Sequence, residues 1–160
     1  KRLSTDELRR KFSYDPETGV VTHRVKCGRH LPGTRAGYTR KDGYRVIALG
    51  VSKYPETHII WAIMTGRLPT STIDHRDLTH DNNRWANLRL ATVSQQKGNV
   101  LLRRDNTSGA RGVRPDKTGS KWIAEHRHNH LGTFATKEAA AAAYSVAASS
   151  YWGEFYRSHQ

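Results

Sequence analysis

Asp74 and His75 stand side by side in this chain, Asn83 follows eight positions later, Asn87 four beyond that, and Arg89 closes the run. Hydrolysing a phosphodiester requires a base to activate water, a cation against the charge that develops, and help for the leaving oxygen. An imidazole can be the base. A carboxylate and an amide oxygen with open positions beside them suit one hard divalent cation, magnesium or manganese, and not zinc. Neighbouring residues at the end of a strand point their side chains to opposite faces. Asp74 can therefore hold a metal while His75 reaches a water. Asn83 and Asn87 would share one face of a helix.

The elements that must position these residues can be read around them. A short helix is expected over Thr5 to Phe12, capped by Ser4 or Thr5. A turn follows at Tyr14 to Gly19, then a strand at Val20–Thr22. A hairpin is expected from Gly37–Thr39 through the Lys41-Asp42-Gly43 turn to Tyr44–Leu49. His58 to Thr65 reads as a helix closed by Gly66 and Pro69, and Thr72 to His75 as extended. Arg84 to Val93 reads as a helix with Trp85 and Leu88 inward. Gln95 to Ser108 has little apolar content and reads as a linker. Beyond it, Gly112–Arg114, Lys121–Arg127 and Leu131–Phe134 give three short strands. Lys137 to Tyr151 is an alanine-rich helix behind Thr136 as N-cap.

Composition narrows the partners. Of 160 residues, 27 are Lys or Arg and 14 are Asp or Glu, giving a net charge of +13 that is spread over both halves. Such an excess, interleaved with Tyr, Trp and His, suits a polyanion lying along the molecule. Hydrophobic residues make up 36% of the chain, so two thin cores are expected in place of one thick one. A single cysteine, Cys27, excludes disulfides within the chain and a cysteine-rich zinc finger. No apolar run approaches membrane-spanning length and no signal-peptide pattern is present, so no membrane partner is expected. His126, His128 and His130 alternate, but Arg127-His128-Asn129-His130 reads as a turn that would scatter them.

Asp74-His75, Asn83-Arg84 and Asn87-Leu88-Arg89, after the lead-in of His58-Ile59-Ile60-Trp61 and Thr65-Gly66-Arg67-Leu68-Pro69, resemble the HNH (ββα-metal) endonucleases of the phage and intron homing branch. The resemblance covers roughly residues 40–99. It implies His75 as general base, Asp74 and Asn87 as metal ligands, Asn83 as the central asparagine bracing the loop that holds His75, and Arg89 as a phosphate contact. Two positions depart from the family pattern. Asn82 stands where an Asp often precedes the central asparagine, and His80 lies in a loop that more often holds Gly, Asn or Pro.

The C-terminal third carries a second resemblance. Ser108-Gly109, Arg111-Gly112-Val113-Arg114, Lys121-Trp122-Ile123-Ala124-Glu125, Leu131-Gly132-Thr133-Phe134 and Lys137-Glu138-Ala139-Ala140 with Ala143-Tyr144 are similar to the ethylene-response-factor (apetala-two) DNA-binding domain. Alternation puts Lys121, Ile123, Glu125 and Arg127 on one face of the middle strand, and Trp122, Ala124 and His126 on the face toward the helix. The resemblance implies that Arg111, Arg114, Lys121, Glu125 and Arg127 meet DNA, as β-sheet readers do in a major groove. His130, where those domains often carry Trp, and a shorter hairpin set this chain apart.

The fold expected is α+β: an HNH nuclease domain with a β-rich preface over 1–100, a basic linker over 101–107, and a three-stranded antiparallel sheet packed on one helix over 108–160. The expected function is metal-dependent hydrolysis of double-stranded DNA by a monomer that nicks one strand, in a bacterial cytoplasm or a phage-infected one. A catalytically silent repressor on the same scaffold is the alternative. An RNA-binding protein fits less well, for want of an exposed aromatic stacking motif.

Overall fold

The computed structural model describes residues 4–158. The chain divides into two compact units at Thr92/Val93.

In the first unit, helix α1 (Thr5–Lys11) runs into strand β1 (Phe12–Asp15), which pairs antiparallel with β2 (Val20–His23). The turn between them is closed by Asp15, whose Oδ1 accepts from the Glu17 N–H at 2.9 Å. A second antiparallel sheet holds β3 (Tyr38–Thr39), β4 (Arg45–Leu49) and β5 (Ser52–Pro55) in that order. Helix α2 (Glu56–Thr65) follows β5 directly and stops at Gly66, whose φ of 75° is the left-handed C-cap. Strand β6 (Thr72–His75) pairs antiparallel with β7 (Leu88–Ala91), setting Asp74 opposite Arg89 and His75 opposite Leu88.

Leu8, Phe12, Val21, Ile47, Ile59, Ile60 and Leu88 form one buried cluster, so α1, the β1–β2 hairpin, β4, α2 and β7 share a core. Each such side chain contributes about 1.5–3 kcal/mol on burial. The third strand of the hairpin sheet, β5, was not foreseen from Val51–Tyr54. The larger correction lies at Arg84–Val93, which is not a helix: a single 3-10 turn at Trp85–Asn87 leads into β7. Pairing with β6 wins over local propensity there, because Leu88, Arg89 and Ala91 are all buried on it.

The second unit opens with the one-turn helix α3 (Val93–Gln96). Its sheet has the order β10-β9-β8, all antiparallel, from β8 (Val113–Pro115), β9 (Trp122–His126) and β10 (Asn129–Phe134). Helix α4 (Lys137–Trp152) covers it, with Ala140, Tyr144, Ala148 and Trp152 forming the buried stripe at every fourth position. Thr136 caps the helix by accepting the Ala139 N–H. The start of the Gln95–Ser108 stretch is tied into this unit: Arg111 donates to the Lys97 and Gly98 carbonyls. The three histidines do not cluster, since Arg127 and His128 occupy a tight turn with φ of 52° and 69°.

Two glycines separate conformational from steric demand. Gly19 (φ 75°) lies against the loop before β7, where a Cβ would come within 2.5 Å of the Arg84 nitrogen; Gly50 (φ 63°) has nothing within 4 Å. Gly50→Ala should cost only the left-handed penalty of about 1–2 kcal/mol. Gly19→Ala should cost clearly more, because backbone must move, and a thermal melt of the two variants side by side would reveal equal losses if this contact were unimportant.

Candidate active site

His75 is the last residue of β6, and its imidazole is only 4% exposed. Its Nε2 lies 2.8 Å from the Asn83 Oδ1. Asn83, 1% exposed, is held at three points. Its backbone carbonyl accepts the Tyr14 hydroxyl at 2.7 Å, and its Nδ2 donates to the Glu56 Oε2 at 3.0 Å. The same Oε2 accepts the Arg45 Nε at 2.6 Å. Arg45 also donates to the Ala36 carbonyl and the Thr39 hydroxyl.

That chain of donors fixes a proton. Because Glu56 Oε2 receives N–H groups, the Nδ2 end of Asn83 faces Glu56 and its Oδ1 faces His75. An amide oxygen only accepts. Nε2 of His75 therefore carries hydrogen, and the lone pair of the neutral ring sits on Nδ1. Burial pushes the Glu56 carboxyl up, while Arg45 and Asn83 pull it down. Its Oε1 is buried with no hydrogen-bond partner.

Asp74 is buried and lies opposite Arg89 across the β6–β7 pair. Nε and Nη2 of Arg89 both lie 2.9 Å from Asp74 Oδ2, and both side chains are buried. Arg89 is thus the cross-strand partner of Asp74, not the exposed phosphate contact the resemblance implied.

The loop between β6 and β7 is tied to itself. Asn87 Nδ2 donates to Asp77 Oδ1 and to the Asn82 carbonyl, at 2.9 and 2.7 Å, and its Oδ1 accepts the Asp77 N–H at 3.1 Å. Asn82 Nδ2 donates to Asp77 Oδ2 at 2.6 Å. Partial burial raises the Asp77 carboxyl, but Asn82, Thr79 and Asn87 outweigh it, so it lies below its ordinary value. Leu78 sits at φ 66°, a strained position for a branched side chain. Asn87 therefore braces the loop. It shares no helical face with Asn83, and both ends of its carboxamide are engaged. Of the two expected metal ligands, Asp74 has the right chemistry and Asn87 does not fit. Among the described residues no group of three or more His, Cys, Asp or Glu could hold an ion.

Two rings border His75 that were assigned no role from sequence. Tyr44 and His80 stack at 4.0 Å with 13° between planes, and their centroids lie 6.0 and 6.4 Å from that of His75. Arg45, Glu56 and Tyr14 were also missed. A charged residue inside the apolar strand Arg45–Leu49, and an acid just before an apolar helix, were the available signals for the buried pair.

In the second unit, Arg114 is exposed on β8, opposite Ile123 of β9, so it shares a sheet face with Glu125. With Gly112, Arg127 and His128 these two line a groove of about 310 Å³. Lys121 is exposed just before β9. Arg111 is otherwise engaged: it donates to the Lys97 and Gly98 carbonyls and lies 4.7 Å from the Trp152 ring. Arg127 is in the turn, not the strand, with its guanidinium 4.2 Å from the Tyr151 ring. Arg127 therefore lies off the strand on which alternation had placed it.

Residues 57–97 match the family model described as HNH endonuclease. The span holds Asp74, His75, Asn83, Asn87 and Arg89. No curated protein and no solved structure matches the chain. The match ends at residue 97, before the sheet and helix of the second unit.

Removing one partner of a buried ion pair leaves a charge uncompensated, at a cost of about 3–5 kcal/mol. Glu56→Ala should therefore be strongly destabilised, whereas Arg45→Met with Glu56→Met should recover much of the loss. Long-range 15N–1H imidazole spectra should show the Nε2–H tautomer of His75 in the wild type and a mixture in the double variant. An unchanged tautomer would remove Glu56 from the network.

Proposed function

We propose that this chain is a divalent-ion-dependent DNA endonuclease of the homing HNH type that nicks one strand of duplex DNA. One observation supports it above others: an imidazole beside a carboxylate, with Nε2–H committed to Asn83 so that Nδ1 is the basic atom. The HNH match over the same residues agrees with it.

His75 Nδ1 takes the proton of the attacking water. Asn83 and Glu56 act before that step, by keeping the ring in the useful tautomer and orientation, which contributes through positioning. As the imidazolium forms, its Nε2–H bond to Asn83 Oδ1 becomes charge-assisted and strengthens. A divalent cation, when bound, supplies Lewis-acid stabilisation of the charged phosphate, and Asp74 would be its carboxylate anchor, with oxygen donors suiting magnesium or manganese. The products are a 5′-phosphate and a 3′-hydroxyl. In the second unit the exposed face with Arg114, Lys121 and Glu125 contributes to holding double-stranded DNA, Arg reading guanine edges and Lys phosphate.

A supercoiled-plasmid assay with magnesium or manganese tests this. Wild type should convert supercoiled to open-circular DNA, and His75→Ala should be slower by about 10²–10⁴-fold while binding DNA equally well. Binding without nicking, over varied DNA sequences and both ions, would leave the silent repressor. Binding should weaken with salt by about 0.9 log units per log unit for each phosphate neutralised.

A further inference from the structure

We propose that His80 is the general acid of this site, donating a proton from Nε2 to the 3′ oxygen as it leaves. This rests on the hydrolytic role proposed for His75 and adds a second catalytic residue to it.

Four observations carry the assignment. Nδ1 of His80 lies 3.0 Å from the Asp42 carbonyl oxygen. A carbonyl only accepts, so Nδ1 carries hydrogen, and a proton handed to the substrate comes from Nε2. One face of the ring lies on Tyr44 at 4.0 Å, which fixes its plane and suits a cationic imidazolium over an aromatic face. The ring is partly exposed, so it can meet a strand laid across the site. Its centroid lies 6.4 Å from that of His75, with 55° between planes.

The two rings are thus held in opposite senses. Asn83 holds His75 through Nε2–H, while Asp42 holds His80 through Nδ1–H. A base and an acid set a few ångströms apart by separate anchors match an in-line displacement, in which water enters on one side of phosphorus and the 3′ oxygen leaves on the other. The loop that carries His80 is braced by Asp77, Asn82 and Asn87, so the ring is held at both its stem and its edge.

The step balances. Water oxygen bonds to phosphorus as the bond from phosphorus to the 3′ oxygen breaks. The water proton goes to His75 Nδ1, and the proton of His80 Nε2 goes to the 3′ oxygen, which leaves as a hydroxyl. Exchange with solvent restores both rings.

A substrate with sulfur in place of the bridging 3′ oxygen decides the matter, because a thiolate leaves without a proton. The full chain and its His80→Ala and His80→Gln variants would be assayed on matched oxygen and sulfur DNA duplexes under one set of conditions. Both variants should lose about 10²–10⁴-fold on the oxygen substrate and only a few fold on the sulfur one. The ratio of the two rates within one sample does not depend on how much of that sample is folded. Equal losses on both substrates would make His80 a phosphate grip or a structural ring and overturn the proposal. Undiminished cleavage of the oxygen substrate by both variants would overturn it too. A wild type that cuts neither duplex would instead remove the nuclease function, and the proposal with it.

Discussion

A single carboxylate oxygen, Oε2 of Glu56, receives Arg45 from one side and Asn83 from the other, inside the first unit. A buried ion pair is weak evidence for stability, since desolvating two charges costs about what their attraction returns. Its value here is directional. Oε2 accepts only, so it decides which end of the Asn83 amide faces His75, and thereby which imidazole nitrogen is basic. The five groups in that line come from β4, the start of α2, β1, the long loop and the end of β6. The apolar cluster that joins those elements therefore holds a proton in place as well as a fold.

A second constraint acts on the loop between β6 and β7. Leu78 adopts a conformation that glycine would accept at no cost, and a chain under such strain relaxes unless its surroundings over-determine it. Asp77 supplies that: both its carboxylate oxygens and its N–H are engaged by Asn82, Asn87 and Thr79. The loop carries Asn83 at one end and His80 in its middle. Loosening it would disturb the His75 tautomer and the neighbouring ring together, so activity lost on changing Asn87 does not identify a ligand.

The order of elements was largely legible in the sequence, because α1, α2, α4 and the hairpins carry strong periodicity with Gly, Pro or Thr punctuation. The stretch after Asn83 was not. Trp85, Leu88 and Thr92 fit a helical stripe, and nothing local reveals that β6 waits as a pairing partner for Leu88–Ala91. The same error misplaced Asn87, whose shared face with Asn83 followed from the expected helix. Asp74, His75 and Asn83 were legible through residue type and spacing. Arg45 and Glu56 were not, since a buried pair between residues eleven apart depends on how β4 and α2 pack. The stack of Tyr44 on His80 is likewise a product of tertiary structure alone.

Net charge overstates the charge on offer to DNA for a related reason. Arginine's planar fork serves internal carbonyls and aromatic faces as readily as phosphates. Arg9 donates twice to the Ile63 carbonyl, Arg45 and Arg89 are buried on carboxylates, and Arg111 is held by Lys97, Gly98 and Trp152. These residues bind the chain to itself. The number of counterions released on binding counts phosphates met by mobile, exposed groups such as Arg114 and Lys121, and not the +13 of the sequence. A basic composition thus points to a polyanion without locating it, and location comes from which guanidinium groups the fold leaves at the surface.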